Sequence, residues 1–319
     1  MRRLLLTLLL AMACPLAAAQ GTSSYPSKPI RLIFPYPAGG TGDSVMRIVA
    51  EFLGPELGTN VVVENRPGAS GVVGTRFLAE SPPDGYTLGL ASNGTNAAVM
   101  SLVKNPGYDP VKNFTYIGTF VTLPWMLVVP TQFPAKSVSE LVAYARENPG
   151  KVTISHYSSA SRVLVHQLQS AGKLKLTEVP YKAPAQVIND LYGGQLQAAF
   201  FPMEVAMAQA ASGKIRVIGA AADKRLPTAP QVPAIAEQLP GVSFTSWMGM
   251  GAPAGLPPDV QAKLVAALNR VVNKPEFRQR IHAVSCDVLA TPPDQMVKLI
   301  QGEMGMWASF AKEAGIQPE

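Results

Sequence analysis

Glycines and hydroxyl side chains follow a run of apolar residues near the start of the chain, and this combination can bind an anion. The apolar residues Ile30, Leu32, Ile33 and Phe34 are followed by Gly39, Gly40 and Gly42, and then by apolar residues at helical spacing. Glycines let the backbone approach a ligand closely, and a helix N-terminus offers unpaired N–H groups and a positive dipole end. The pattern predicts a strand, an anion-binding loop and a helix. The same residues also allow an alternative, in which the glycines only form a tight turn.

A second polar segment, residues 92–96, follows another predicted strand at residues 86–91. Parallel strands end at the same edge of a sheet, so we expect this segment and the glycine loop to lie together at the edge where ligands bind. Thr41, Asp43 or Ser44 is expected to cap the helix after the first loop. The two segments together form a candidate pocket.

A third polar segment, residues 157–162, is rich in hydroxyl groups and ends in Arg162. It follows a predicted strand at residues 152–155 and precedes a helix that extends to about residue 171. The second half of the chain therefore repeats the strand, turn and helix order of the first half. We expect it to form a second lobe.

Other chemistries have weaker support. His156, His166 and His282 are scattered, without an HExxH motif or a carboxylate cluster, so neither a metal site nor another cofactor is expected. A dinucleotide site is not expected either, because the third glycine of its motif is replaced by Val45. Ser70 lacks the spacing of a nucleophile elbow, and we interpret it as a helix cap. An exported hydrolase that uses Ser70 is the less favoured alternative.

The first residues have the pattern of an export signal. Two arginines precede an apolar run over residues 4–13, and three alanines precede Gln20. This pattern predicts that residues 1–19 form a cleaved signal peptide and that the protein is periplasmic. A lipoprotein anchored through Cys14 is a less favoured alternative, because the residues before it fit a lipobox poorly.

Length and composition indicate a globular α/β protein with a substantial core. The chain has 319 residues, of which 47% are hydrophobic and 15% charged. Without residues 1–19 it has 25 basic and 21 acidic residues, and no run of lysine and arginine indicates a nucleic acid partner. Cys286 is then the only cysteine, so no internal disulfide is expected.

The order of the predicted elements indicates two lobes. Strands and helices alternate in the first part of the chain, which predicts a doubly wound parallel sheet. Extended apolar segments at residues 116–130 and near residue 246 are expected to cross between lobes, which would allow hinge closure. We predict lobe I at residues 26–122 plus 246–319 and lobe II at residues 123–245. The C-terminal helices are expected to cover the sheet of lobe I.

Six blocks of sequence resemble the tripartite tricarboxylate transporter receptors, the Bug or TctC type of extracytoplasmic solute receptor. They are residues 34–43, 62–69, 83–88, 179–182, 190–195 and 252–255. The resemblance implies a two-lobed α/β fold like the type II periplasmic-binding-protein fold, with doubly wound sheets joined by a two-crossing hinge. It also implies a receptor without enzymatic activity, expected to be a monomer, that closes on a small carboxylate and delivers it to membrane transport subunits. A sensory receptor that delivers its liganded form to a signalling partner is an alternative.

The resemblance also implies a ligand-binding set, drawn from both lobes. Its members are Tyr36, Pro37, Ala38, Gly39, Gly40, Thr41, Asp43, Ser92, Thr95, Asn96, Ser158, Ser159, Ser161, Arg162, Tyr181 and Phe201. Two departures from the family pattern concern the solute. Residues 159–162 replace a glycine-containing turn, and Pro202 stands where relatives often have a polar residue. An added cation and a lost polar group predict an aliphatic or aromatic carboxylate without an amine.

Overall fold

A computed structural model describes residues 25–318. The predicted signal peptide and Cys14 lie outside them. The strands are β1 Ile30–Phe34, β2 Val61–Asn65, β3 Thr87–Ser92, β4 Phe114–Leu123, β5 Trp125–Pro130, β6 Thr153–His156, β7 Thr177–Pro180, β8 Ala198–Pro202, β9 Ile215–Ala220, β10 Ser246–Pro253 and β11 Asp287–Val288. The helices are α1 Thr41–Leu57, α2 Val72–Ala79, α3 Val99–Leu102, α4 Val138–Glu147, α5 Ser159–Gly172, α6 Pro184–Tyr192, α7 Met203–Ala210, α8 Pro258–Asn273, α9 Pro275–Ala283 and α10 Pro293–Glu313.

The first sheet has six strands in the order β11-β4-β10-β3-β1-β2. Helices α1, α8 and α9 cover one face, and α2 and the first half of α10 cover the other. A close approach on the second face depends on Gly89, where an added Cβ would lie 2.6 Å from Leu78 of α2. The sheet is therefore covered on both faces, as in other α/β folds.

The second sheet has five strands in the order β7-β6-β8-β5-β9. Successive residues of β8 point to opposite faces: Phe200 packs in the core with α4 and α5, and Phe201 packs in the core with α6 and α7. Only Pro124 separates β4 of the first sheet from β5 of the second, and β10 returns to the first sheet. The predicted two-lobed α/β architecture with two crossings is confirmed.

The sheets are mixed, and the predicted parallel arrangement of the first β-α-β-α-β unit is confirmed within the first of them. Strands β1, β2 and β3 are parallel, as are β6, β7 and β8. Strand β10 is antiparallel to both β3 and β4, and β5 is antiparallel to β8 and β9. The reason is the crossing itself, because β4 runs out of the first sheet and β10 runs back into it.

Helix α10 contacts both lobes, which differs from the expectation that the C-terminal helices cover only the first sheet. Helices α8 and α9 follow that expectation. In α10, Met296 packs on the first sheet, whereas Trp307 and Phe310 belong to the core of the second. Its 21 residues make a helix about 30 Å long. That length lets one helix connect two cores.

Two predicted helix caps are corrected. Gly40 is the N-cap of α1 and makes no side-chain capping bond, so none of Thr41, Asp43 and Ser44 caps this helix. Gly71, not Ser70, is the N-cap of α2. Both helices begin at glycine-rich turns, so the serine and threonine preference for N-caps is overridden by the turn geometry. No helix among residues 25–318 is long and apolar enough to cross a membrane.

Candidate functional site

A cleft of about 910 Å³ lies between the two sheets. Tyr36, Ser92 and Asn93 line it from the first sheet, and Tyr157 and Ser158 line it from the second. A smaller cavity of about 440 Å³ borders the loop between β1 and α1 and shares Tyr36, Ser92 and Asn93 with the cleft. The two cavities form one candidate site, within the size range of small-molecule pockets.

The loop between β1 and α1 is organised by the buried carboxylate of Asp43. It accepts hydrogen bonds from the Gly39 backbone N–H (3.1 Å), from Arg47 Nε (2.9 Å) and from Asn65 Nδ2 (2.8 Å). Burial alone would raise the pKa of Asp43, but the bonds from Arg47, Asn65 and Gly39 together hold it below its usual value. Asp43 is therefore charged and fully engaged within the protein. It shapes the loop.

The three glycines of this loop differ in backbone conformation and in what surrounds them. Gly39 has φ +93°, in the left-handed region that favours glycine. A Cβ at Gly42 would lie 2.9 Å from the Phe34 ring, so close packing of α1 on β1 requires glycine there. A Cβ at Gly40 would meet nothing within 4 Å, and Gly40 lines the smaller cavity. Only Gly40 therefore combines a free face with a position at the cavity wall.

The segment after β3 is a closed hydrogen-bond network. The Ser92 hydroxyl lies 3.0 Å from Thr95 Oγ1, which donates to Asn96 Oδ1 at 2.7 Å. Asn96 Nδ2 in turn donates to the Tyr116 hydroxyl at 2.9 Å. These bonds hold a short π-helical turn at Gly94–Ala98. Thr95 and Asn96 are buried within the network and line neither cavity.

Asn93 is a functional candidate that the predicted ligand-binding set omits, although it lies within the predicted polar segment 92–96. Asn93 lines both cavities, and among the described residues its side chain has no hydrogen-bond partner. It is only 7% exposed, so a buried amide without a protein partner faces the site. Such a group is suited to donate to a ligand oxygen. Its position between Ser92 and Gly94 was the available signal.

The second wall of the cleft begins at the N-terminus of α5. The Ser158 hydroxyl accepts from the Ser161 N–H at 3.2 Å, and the Ser161 hydroxyl accepts from the Ser158 N–H at 3.0 Å. This capping box uses Ser161 inside the protein, whereas Ser158 and Ser159 line the cleft. The helix start thus presents hydroxyls and its positive dipole end to the site.

Aromatic rings form much of the remaining second wall. Tyr157 packs between Trp125 and Phe201, with ring centroids 6.3 Å and 5.7 Å away. Trp125 Nε1 donates to the Ser246 hydroxyl at 3.0 Å, which ties the starts of β5 and β10 together at the crossing. Phe201 is fully buried behind Tyr157 and does not reach the cleft. Trp125 and Ser246 do line it, and neither belongs to the predicted ligand-binding set.

Arg162 and Tyr181 border a neighbouring cavity of about 360 Å³, not the cleft itself. Tyr157, Ser158 and Ser159 lie between the two cavities and line both. Arg162 forms no ion pair with any residue from 25 to 318. The Tyr181 hydroxyl donates to Asp190 at 2.5 Å.

The structure thus brings together part of the predicted set. Those lining the cleft or the adjoining smaller cavity are Tyr36, Pro37, Ala38, Gly40, Asp43, Ser92, Ser158 and Ser159. Those lining neither are Gly39, Thr41, Thr95, Asn96, Ser161, Arg162, Tyr181 and Phe201. Thr41 instead donates its hydroxyl to Glu204 across the two lobes.

The groups needed for hydrolysis are not assembled. Ser70 lines the cleft, but the histidines of the described chain are paired elsewhere: His156 lies beside Glu178, His166 beside Glu313 and His282 beside Asp287. Residues 25–318 contain no cluster of three or more potential metal ligands. The cleft offers hydrogen bonds and apolar surface, which are the means of binding.

Two lobes around a cleft, with helix N-termini and amides facing it, define a solute-binding receptor. Residues 45–316 match the family described as Tripartite tricarboxylate transporter family receptor (TctC), and the chain belongs to this family. The family resemblance seen in the sequence is thereby confirmed. Proteins of this kind are binding receptors, not enzymes, so the hydrolase alternative is set aside.

Similar proteins extend over nearly the whole chain. Protein BugT of Bordetella pertussis is 31% identical over 308 residues, which cover 94% of this chain and 93% of BugT. The structure of the periplasmic binding protein BugD is 34% identical, with a TM-score of 0.74, and covers 92% of this chain and 100% of BugD. Rpa4515 of R. palustris with adipate is 28% identical, with a TM-score of 0.77, over 92% of this chain and 100% of that protein.

Proposed function

We propose that this protein captures a small carboxylate in the cleft between its lobes. The observation that carries the proposal is the unpartnered amide of Asn93, which faces the cleft opposite the N-terminus of α5 at Ser158 and Ser159. Amide donors, hydroxyls and a helix N-terminus all stabilise a negatively charged group. The adipate in the Rpa4515 structure, a dicarboxylate, supports this ligand class.

In this proposal Asp43 positions the loop and does not contact the ligand. A ligand carboxylate and the charged Asp43 would repel each other, so direct contact between them is unfavourable. Because Asp43 holds the Gly39 N–H and Asn65, it fixes the loop from Tyr36 to Gly40 at the edge of the smaller cavity. The loop then presents backbone N–H groups and Tyr36 to the ligand.

We infer that the lobes close by contacts around the cleft. The Thr41 hydroxyl donates to Glu204, and Thr228 Oγ1 donates to Asp287 Oδ2 at 2.8 Å, so both bonds join the two sides. With lobe I at residues 26–122 plus 246–319 and lobe II at residues 123–245, both contacts cross the lobe boundary. Closure would exclude water and strengthen the hydrogen bonds to the ligand.

The proposal includes an export route and partners. Residues 1–19 would direct the chain to the periplasm, where BugD is also found by its description. There the monomer would deliver its ligand to membrane transport subunits, as expected for a receptor of a tripartite transporter family. Delivery to a signalling protein is the second candidate, and pull-down of the liganded protein with each membrane partner would separate the two.

Isothermal titration calorimetry with the mature protein tests the binding claim. The panel contains mono-, di- and tricarboxylates, aromatic carboxylates and amino acids. We expect saturable binding of at least one carboxylate without turnover. Binding of amino acids alone, or hydrolysis of generic esters that is lost with Ser70→Ala, would contradict the proposal.

A further inference from the structure

The large cleft has an unusual lining for a site that binds anions. Among residues 25–318, those that line it include no lysine, arginine, histidine, aspartate or glutamate. All polar side chains that line it are neutral: Tyr36, Ser70, Ser92, Asn93, Tyr157, Ser158, Ser159 and Ser246. The other side chains of the lining are aromatic or aliphatic. One anionic group can therefore be satisfied by neutral donors, whereas a second would find no positive charge in the cleft.

The aromatic part of the lining consists of two pairs of rings. Trp125 and Tyr157 lie against each other, and Phe244 packs on Trp307 with ring centroids 5.9 Å apart. All four line the cleft. The Tyr157 hydroxyl has no hydrogen-bond partner in the described part of the chain, and burial raises its pKa above the ordinary value. Tyr157 therefore contributes a neutral aromatic ring to the wall of the cleft.

Arg162 does not supply the missing charge. It borders the neighbouring cavity with His156 and Tyr181, and Tyr157 lies on the wall shared by the two cavities. A ligand extending from Asn93 across the aromatic wall meets Tyr157 before it reaches Arg162. The second charge of a dicarboxylate would meet only neutral donors at Ser158 and Ser159, so no ion pair in the cleft would offset the cost of desolvating it.

We propose that the preferred ligand is a monocarboxylate with an aromatic body, bound with its carboxylate at Asn93 and its ring against Trp125 and Tyr157. This inference rests on the proposed function and specifies its solute. Offset or edge-to-face packing of a ligand ring on these side chains adds attraction beyond the area buried. Neither the family description nor the adipate of Rpa4515 assigns this preference.

Calorimetry with four acids tests the proposal: benzoate, cyclohexanecarboxylate, terephthalate and propionate. Benzoate should bind about tenfold more tightly than terephthalate, which has a second carboxylate, and also more tightly than propionate, which lacks a ring. Cyclohexanecarboxylate should fall between benzoate and propionate, since it buries similar area without a π face. Tighter binding of terephthalate or adipate than of benzoate would overturn the inference and leave the proposed function intact. If no carboxylate in the wider panel binds, the proposed function itself fails.

Variants of Tyr157 test whether the aromatic ring of the ligand lies against this side chain. Tyr157→Ala should weaken benzoate by about tenfold and change propionate by less than about twofold, whereas Tyr157→Phe should retain benzoate binding. The matched control is Tyr144→Ala, because Tyr144 packs on Phe133 away from the cleft. Equal losses for Tyr157→Ala and Tyr144→Ala, or a loss in Tyr157→Phe, would contradict ring stacking at this position. Preference for terephthalate that disappears in Arg162→Gln would assign the second charge to the neighbouring cavity and overturn the proposal.

Discussion

The two walls of the cleft are built differently. Behind the first wall the polar groups are bound to one another: the Asp43 carboxylate accepts from the Gly39 N–H and from Asn65, and the Ser92 hydroxyl lies 3.0 Å from Thr95 Oγ1. The second wall contains the rings of Trp125 and Tyr157, beside a single helix start. We infer that the first wall binds the group shared by all ligands and that the second selects the rest of the molecule.

The difference explains why a solute receptor can keep one wall and change its specificity. A rigid, internally bonded loop positions backbone donors with little loss of entropy on binding. Aromatic side chains can be replaced without disturbing that loop, because Tyr157 makes no side-chain hydrogen bond to it. Substitutions in each wall test whether the two walls act separately.

The largest expected effect comes from Asp43→Ala. It leaves the Gly39 N–H, Asn65 and Arg47 without their acceptor, and we expect a loss of about 3 kcal/mol in the free energy of unfolding. Affinity for every carboxylate should fall about 100-fold, which corresponds to about 2.8 kcal/mol. Chemical denaturation and calorimetry measure the two effects.

The control for this variant is Asp259→Ala. Asp259 also lies in the first turn of a long helix, α8, but it is exposed and lines neither cavity. It should change stability by less than about 1 kcal/mol and leave affinity unchanged. A selective loss for aromatic ligands in Asp43→Ala would show that the two walls are coupled.

Glu303→Gln tests the contact between α10 and β10. Glu303 lies on α10 and accepts from Trp247 Nε1 at 2.8 Å. Burial raises its pKa to about 7, and the Trp247 bond only reduces this effect. Because the folded-state pKa is raised, the native protein loses stability as the pH rises from about 4.5 to about 7, and the penalty is complete above that range.

Glu303→Gln should therefore be more stable than the native protein by about 3 kcal/mol at about pH 8, with most of the difference gone at about pH 5. Denaturation curves at the two pH values measure this. Glu147→Gln, at the exposed end of α4, is the control and should lack this dependence, because Glu147 is in no ion pair among residues 25–318. If the free energies of unfolding of Glu303→Gln and the native protein changed in parallel with pH, the raised pKa of Glu303 would be contradicted.

Asn93→Ala should weaken all carboxylates by about tenfold without changing their order of preference. The reason is the loss of an amide donor that has no protein partner and therefore no structural bond to break. Calorimetry on the acid panel measures it, with Asn273→Ala on the exposed end of α8 as the control. Unchanged affinity in Asn93→Ala would show that the ligand carboxylate binds to another part of the first wall.

The smallest effect is expected from the helix caps. Ser158→Ala and Ser137→Ala each remove a capping side chain, from α5 and α4, and each should cost about 1 kcal/mol of stability. Only Ser158 lines the cleft, so only Ser158→Ala should also lower ligand affinity. Equal affinity in the two variants would exclude the start of α5 from the site.

The sequence predicts the elements of this fold better than their contacts. Apolar periodicity and turn residues locate α2 and α9 and both crossings, since these signals are local. They do not reveal that α10 contacts both sheets, because Trp307 and Met296 follow the same helical spacing while packing in different cores. The antiparallel direction of β10 likewise depends on the path of the chain.

The candidate site is predictable to the level of segments. All three polar segments reach the cleft or its adjoining cavity, but side-chain direction within a segment is decided by local bonds. Asn96 turns into the network with Tyr116 while Asn93 faces the cleft, and Arg162 borders the neighbouring cavity. Spacing along the sequence does not distinguish these outcomes, because each depends on a tertiary contact.

A crystal structure with 4-iodobenzoate tests the central claim most directly, because the anomalous signal of iodine fixes the direction of the ligand. We expect the carboxylate within hydrogen-bonding distance of Asn93 and the iodinated ring in contact with Trp125 and Tyr157. A carboxylate beside Arg162, with the iodine near Ser92 and Asn93, would contradict the assignment of anion binding to the first wall and of ligand selection to the second.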